Sequence, residues 1–155
     1  MKKYELLKDD TVAAPSGKTL YRIKALVAIG LLVSPGDLGG YIEDTKNLDM
    51  YGDAWVYGDA WVYGDAWVSG DARVYGDAQA KEKNDIQWIS NVGSEHGTLT
   101  VCKAKKGLFV SRGCFAGTLD EFKAAVSEKH GTNKYGRHYQ ALIDAIEIWF
   151  SDGKD

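Results

Sequence analysis

The clearest pattern of apolar and polar positions lies between Tyr51 and Ala80. The chain there reads YGDAWV three times, then SGDARV and YGDAQA. Each unit alternates a small residue, a large one, an aliphatic one and a second large one. That is the period of a short strand with Ala and Val facing inward and the aromatics outward. Gly-Asp then interrupts the alternation: Gly supplies backbone freedom, and Asp a carboxylate that can bond its own turn. No 3.6-residue stripe runs through the segment, so a helix is excluded. Ala54, Ala60, Ala66, Ala72 and Ala78 form one column, and Val56, Val62, Val68, Val74 and Ala80 another. Stepping back by six extends the Ala column to Leu48 and Ile42, and the Val column to Met50, Asp44 and Leu38. The repeat region is therefore read as 38–80, with its first third degenerate.

The flanks carry other periods. Tyr4–Leu7 and Leu20–Leu26 read as strands around the turn signal Pro15-Ser16-Gly17, an N-terminal β cap over 1–37. The polar segment 81–85 lacks the period and marks a boundary before a C-terminal α+β domain at 86–155. There, Ile86–Val92, Thr98–Ala104 and Leu108–Ser111 read as three short strands. Thr118-Leu119-Asp120-Glu121 has the form of a capping box at the head of a helix that Gly131 ends. A second helix carries Tyr135, Tyr139, Leu142, Ile143, Ile146, Trp149 and Phe150 as one apolar stripe.

A strand-and-corner unit of six residues matches the hexapeptide form of the parallel β-helix. The expected fold is thus α+β: a short parallel, left-handed β-helix, a β-hairpin cap, and a tail of three strands and two helices. V-Y-G-D-A-W resembles the hexapeptide pattern of left-handed β-helix proteins of the bacterial acyltransferase type. That resemblance implies triangular coils of three hexads, with residues 18 apart stacked: Tyr57 against Tyr75, and Trp55 against Arg73. KYELLKDD, LYRIKAL, GDLGGYIE, the GDA repeats, GCFAGTLDEF and HGTNKYGRHY, in that order, resemble a group of uncharacterised phage and prophage proteins with a hexapeptide core. The resemblance implies an architecture and a phage origin, with no established chemistry.

Composition narrows the function. The chain has 155 residues and a formal charge of -3, so it lacks the basic footprint of a nucleic-acid binder. Its longest apolar run, Ala25–Val33, is far shorter than the ~20 residues that span a bilayer. Met1–Lys8 has no apolar stretch of the secretory kind. The reading is a cytoplasmic protein, in a host cell if phage-encoded, that binds no membrane. Cys102 and Cys114 have no CxxC or His-spaced partner, so no zinc site is read. Cys114, between Gly113 and Phe115, reads as a small buried hydrophobe. No cofactor motif is present.

Seven of the 18 aromatic residues and five of the 18 glycines crowd into residues 51–80. Outward Trp55, Trp61, Trp67, Tyr57 and Tyr75 form either cross-strand ladders, an interface with another copy or a host protein, or a stacking platform. The corner aspartates are expected to cap their own turns. Arg73 replaces Trp in the fourth unit, and it permits a cation–π contact or an anion contact. Arg112, Lys134, Arg137 and His138 are candidate phosphate contacts, with a solvated face as the plain alternative. An acyltransferase needs a general-base His, and none occurs before His96. Together with the phage resemblance, these residue types imply a non-catalytic binding protein for a small nucleotide, sequestering a host immune signal. The rival is a structural or self-assembling module, as a homo-oligomer. Any pocket is expected between the repeat and the tail, or between subunits.

Overall fold

The computed structural model describes residues 2–151. Eleven strands and two helices follow one another along the chain. β1 (Tyr4–Ala13), β2 (Thr19–Ala25) and β3 (Leu38–Ile42) precede four two-residue strands, β4 (Trp55–Val56), β5 (Trp61–Val62), β6 (Arg73–Val74) and β7 (Gln79–Ala80). Then come β8 (Ile86–Val92), β9 (Gly97–Lys103), β10 (Leu108–Arg112), β11 (Phe115–Thr118), α1 (Leu119–His130) and α2 (Lys134–Trp149).

These strands form three sheets: a mixed one in the order β1-β2-β3-β5-β7, a parallel pair β4-β6, and an antiparallel one in the order β11-β10-β9-β8. This corrects the expected parallel β-helix. The repeat builds no independent helix of sheets, because one of its faces merges into the cap. β3, the third strand of the antiparallel hairpin system, pairs in parallel with β5. A second face is the isolated pair β4-β6, and the third has a single bridge, Leu48 to Val68. The tail is corrected as well: a fourth strand, β11, pairs with β10 and runs directly into α1.

Inside the repeat, Trp55 lies beside Arg73, Val56 beside Val74, and Val62 beside Ala80, each pair 18 residues apart. Upstream the spacing changes. Ile42 pairs with Val62 and Leu48 bridges to Val68, each 20 residues apart. Two residues are therefore inserted relative to a strict period of six, and Ile42 and Leu48 fall in the Val column, not the Ala column. The offset returns to 18 at Trp55, so the extra residues lie between Leu48 and Trp55, just after a 3-10 turn at Thr45–Asn47 with a reciprocal cap between Asp44 and Asn47.

The corners are made by glycine. Gly58, Gly64, Gly70 and Gly76 have φ between 59° and 66°. The Ala two residues after each Gly donates its amide to the carbonyl just before that Gly, at 3.1–3.2 Å. A positive φ at the first central residue of such a turn is the geometry that an L side chain resists. The corner aspartates form no hydrogen bond to their own turn amides among the described residues; Asp59 instead pairs with Arg22 at 3.2 Å. Glycine alone is enough to turn the chain, which leaves the carboxylates free for other partners.

The first turn of the repeat would leave carbonyls without strand partners, and three side chains from elsewhere meet them. Lys3 Nζ donates to the carbonyls of Gly52 (3.2 Å) and Ala54 (2.8 Å). Arg22 donates to Gly39 and Gly58, and Asn47 Nδ2 to Gly64 (3.2 Å) and Ala66 (2.8 Å). Arg22 also pairs with Asp10 at 2.8 Å and lies over the Tyr41 ring. These donors meet the corner carbonyls, while the chain at 41–49 meets Ala60, Val62 and Val68, so this end of the repeat is satisfied.

Two cores result. The Ala and Val columns pack with Tyr4, Ile23, Ile42, Leu48, Trp55, Ile86 and Cys102. Val92, Leu99, Val101 and Val110 of the tail sheet pack on Phe122, Val126, Tyr139, Ile143 and Ile146 of the helices. The Thr118–Glu121 capping box starts α1, and Asn133 caps α2 through the Gly136 amide. Cys114 is exposed and Cys102 is buried. This corrects the expectation for Cys114, which sits in the turn between β10 and β11.

Candidate functional site

Where the repeat meets the tail, an open groove of about 760 Å³ is lined by Trp67, Trp88, Trp149, Lys46, Lys83 and Asp65, with Asn84, Ile86 and Gln87 between them. Five separate segments supply these side chains. Trp67 follows the Gly64 corner, on the face that has only a bridge. Trp88 is the third residue of β8, and Trp149 is the last residue of α2. Lys46 and Lys83 each sit in a 3-10 turn.

Each wall has an identifiable anchor. The Trp67 and Trp88 rings meet edge to face, with centroids 6.1 Å apart. Trp88 is backed by the Gly70 corner, where an added Cβ would stand 3.3 Å from its Nε1. Trp149 Nε1 donates to the Asn84 carbonyl at 3.0 Å, which ties the end of α2 to the segment joining repeat and tail. That segment is itself held by buried Asp85, whose Oδ2 accepts from the Lys81 and Glu82 amides at 2.9 Å. The Lys46 turn is held by fully buried Asn47.

Despite these anchors, Trp67 remains 49% exposed and Trp149 44%. An indole in this state still offers a face for stacking. Among the described residues, neither Lys46 nor Lys83 has a carboxylate within 4.0 Å. Their ammonium groups remain available for an anion. A shallower extension beyond Lys83 adds Glu82, so carboxylate acceptors stand beside the cations. The groove therefore offers aromatic faces, two cations and at least one acceptor for hydroxyl groups. Its lining holds no histidine, cysteine or serine.

Of the residues singled out in the sequence, Trp67 is the one that reaches this groove. Trp55 was expected outward but is 1% exposed, packed edge-on against Tyr4. The N-terminal segment lies over that face of the repeat and buries it. Trp61 is half-buried against the small cluster of Ala14, Leu20, Tyr41 and Tyr63, also under the cap. Tyr57 and Tyr75 stack on each other, with centroids 4.1 Å apart and planes 6° from parallel. Burial and the neighbouring Tyr75 push the Tyr57 hydroxyl well above its ordinary pKa. Arg73 lines a different, polar cleft. Arg112 is occupied by Tyr139 (2.8 Å) and Glu95 (3.3 Å). Lys134, Arg137 and His138 are exposed on the first turns of α2, and none lines the groove.

Sequence reasoning missed Lys46, Lys83, Trp88 and Trp149. Trp149 ends the apolar stripe of α2 and therefore reads as core. Its shared groove with Trp67 depends on how α2 docks, which no local pattern encodes. No family model matches the chain, and neither does any curated protein.

Proposed function

We propose that the protein is a non-catalytic binding protein whose ligand is a small nucleotide held in the Trp67–Trp88–Trp149 groove. The observation that carries this reading is the meeting of three tryptophans in one open groove with two lysines that have no carboxylate within 4.0 Å among the described residues. A base offers a flat ring for Trp67 or Trp149, a phosphate offers an anion for Lys46 and Lys83, and ribose hydroxyls offer donors for Asp65. Stacking faces beside cations and hydrogen-bond acceptors fit capture of a nucleotide. In the phage setting that the sequence resemblance implies, such a site would sequester a nucleotide-derived immune signal in the host cytoplasm. No helix among the described residues is long and apolar enough to cross a membrane.

The test is quenching of intrinsic tryptophan fluorescence by AMP, cyclic nucleotides and ADP-ribose, checked by calorimetry. At least one nucleotide should saturate, and Trp67→Ala should weaken it about 5- to 150-fold, the worth of one stacked base. Saturation by a neutral sugar alone, no saturation by any nucleotide, or an unchanged affinity in Trp67→Ala would sink the proposal.

A second reading, self-assembly, rests on a separate observation. Leu31 is 100% exposed, Leu32 58% and Tyr51 82%. Exposed apolar side chains of this kind suit an interface between copies. If so, Leu31→Asp should shift the protein to a smaller species in sedimentation, with nucleotide binding unchanged.

A further inference from the structure

A second cleft, of about 260 Å³, lies where the repeat corners face the tail sheet, lined by Asp53, Asp71, Arg73, His96, Thr98 and two glycines. Its lining carries both signs of charge, all from the repeat: Asp53 and Asp71 with Arg73. Asp53 and Asp71 belong to stacked corners: a Cβ on Gly52 would stand 2.9 Å from the Gly70 carbonyl oxygen. Adjacent carboxylates repel unless a cation meets them. Among the described residues neither has a basic partner within 4.0 Å, although Lys3 sits on the Gly52 and Ala54 carbonyls beside Asp53. Arg73 is likewise without a carboxylate within that distance, while sharing the cleft with both.

Arg73 is anchored through its backbone. Arg73 breaks the repeat, standing where the first three units have Trp55, Trp61 and Trp67. Its amide donates to Thr100 Oγ1 at 3.1 Å, and its carbonyl accepts from Ser111 Oγ at 2.8 Å. Thr100 and Ser111 are 1% and 3% exposed, so two buried hydroxyls are committed to one residue's backbone. His96 is held as well, with Nδ1 2.7 Å from Asn91 Oδ1. These two are the only non-glycine residues with positive φ among those described.

We propose that this cleft binds a compact zwitterion of the α-amino acid class. The ligand's ammonium group donates to Asp53 and Asp71, and its carboxylate accepts from the Arg73 guanidinium, with His96 and Thr98 as further polar contacts. A simple anion meets two carboxylates there, and a simple cation meets Arg73. A ligand with an ammonium and a carboxylate on the same carbon suits both. The volume lies below the ~300 Å³ at which pockets for drug-sized ligands begin, which favours a small molecule.

The test is a thermal-shift screen of the standard L-α-amino acids, with acetate and methylammonium as half-ligand controls at equal concentration, followed by calorimetry. One or more amino acids should raise the melting temperature and bind saturably, while the two controls do not. Arg73→Gln and Asp71→Asn should each weaken that binding about tenfold, the scale of one charge-assisted contact. Trp67→Ala should leave it unchanged, which separates this cleft from the nucleotide groove. If Arg73→Gln does not fold by circular dichroism, Asp71→Asn decides. The proposal is overturned if no amino acid shifts the melting temperature, if acetate binds as well as the amino acid, or if the folded variants bind as the parent does.

Discussion

Replacing Asn47 with leucine isolates the way the first turn of the repeat is closed. Asn47 is fully buried, so a leucine of similar bulk leaves little cavity. What disappears is its amide, which donates to the Gly64 carbonyl at 3.2 Å and the Ala66 carbonyl at 2.8 Å. The Asp44 amide also loses its acceptor, Asn47 Oδ1 at 3.0 Å, but Asp44 is exposed and water can replace it. Two backbone carbonyls remain without that donor. At ~1–3 kcal/mol for each buried group left unsatisfied, the expected loss is about 2–5 kcal/mol. In a chain of this size that lowers the melting temperature by roughly 5–15 °C. Urea unfolding followed by circular dichroism and by tryptophan fluorescence measures it directly. Asn47→Asp sharpens the test. A carboxylate aimed at two carbonyls is disfavoured and donates only when protonated, so its folded-state pKa rises above the ordinary ~3.9. A protonated carboxyl can serve one of the two carbonyls, so the penalty is smallest below about pH 4 and grows as the pH rises, whereas that of Asn47→Leu stays flat. A leucine variant within about 1 kcal/mol of the parent, or an aspartate variant insensitive to pH, would refute this account of the end cap.

Two further outcomes follow from burial and from backbone approach. Burial pushes the Cys102 thiol above its ordinary 9.0 and the Tyr4 and Tyr57 hydroxyls above 10.0. The folded protein therefore holds protons that the unfolded chain releases, and stability present below pH 9.0 is lost as the pH rises through that range. Lys3 opposes this, since burial lowers its pKa and favours folding as the pH nears 10.5. The Tyr41 hydroxyl is raised as well, by burial first, so proton-holding groups outnumber Lys3; urea midpoints should fall on going alkaline, and Cys102→Ala should delay the onset, while a constant midpoint contradicts this. A Cβ on Gly40 would stand 2.4 Å from the Ala60 carbonyl oxygen, so Gly40→Ala should separate β3 from β5 and abolish folding. Gly58→Ala meets nothing within 4 Å but needs a φ of 59°, so it should cost only about 1–2 kcal/mol. Equal urea midpoints for the two variants would contradict the distinction.

Much of the local structure was legible along the chain. The six-residue period marks the Ala and Val columns, because a buried column tolerates only small or aliphatic side chains. The Gly corners are legible because a positive φ strongly favours glycine. The capping box at Thr118 and the apolar stripe from Tyr135 to Phe150 are local patterns with local causes. Tertiary structure decided what the aromatics do. Alternation says only that a side chain leaves the inner face of its strand, not whether another segment lies on top of it. The N-terminal segment covers Trp55 and the cap covers Trp61, while Trp67 stays open because its face meets the end of α2 and the Lys83 turn instead. The same distinction separates a hexad pattern from a parallel β-helix. The pattern sets the length of each strand and the place of each corner. Whether the strands pair only with one another or join a neighbouring hairpin depends on which edges remain unpaired after folding, and that is a property of the whole chain.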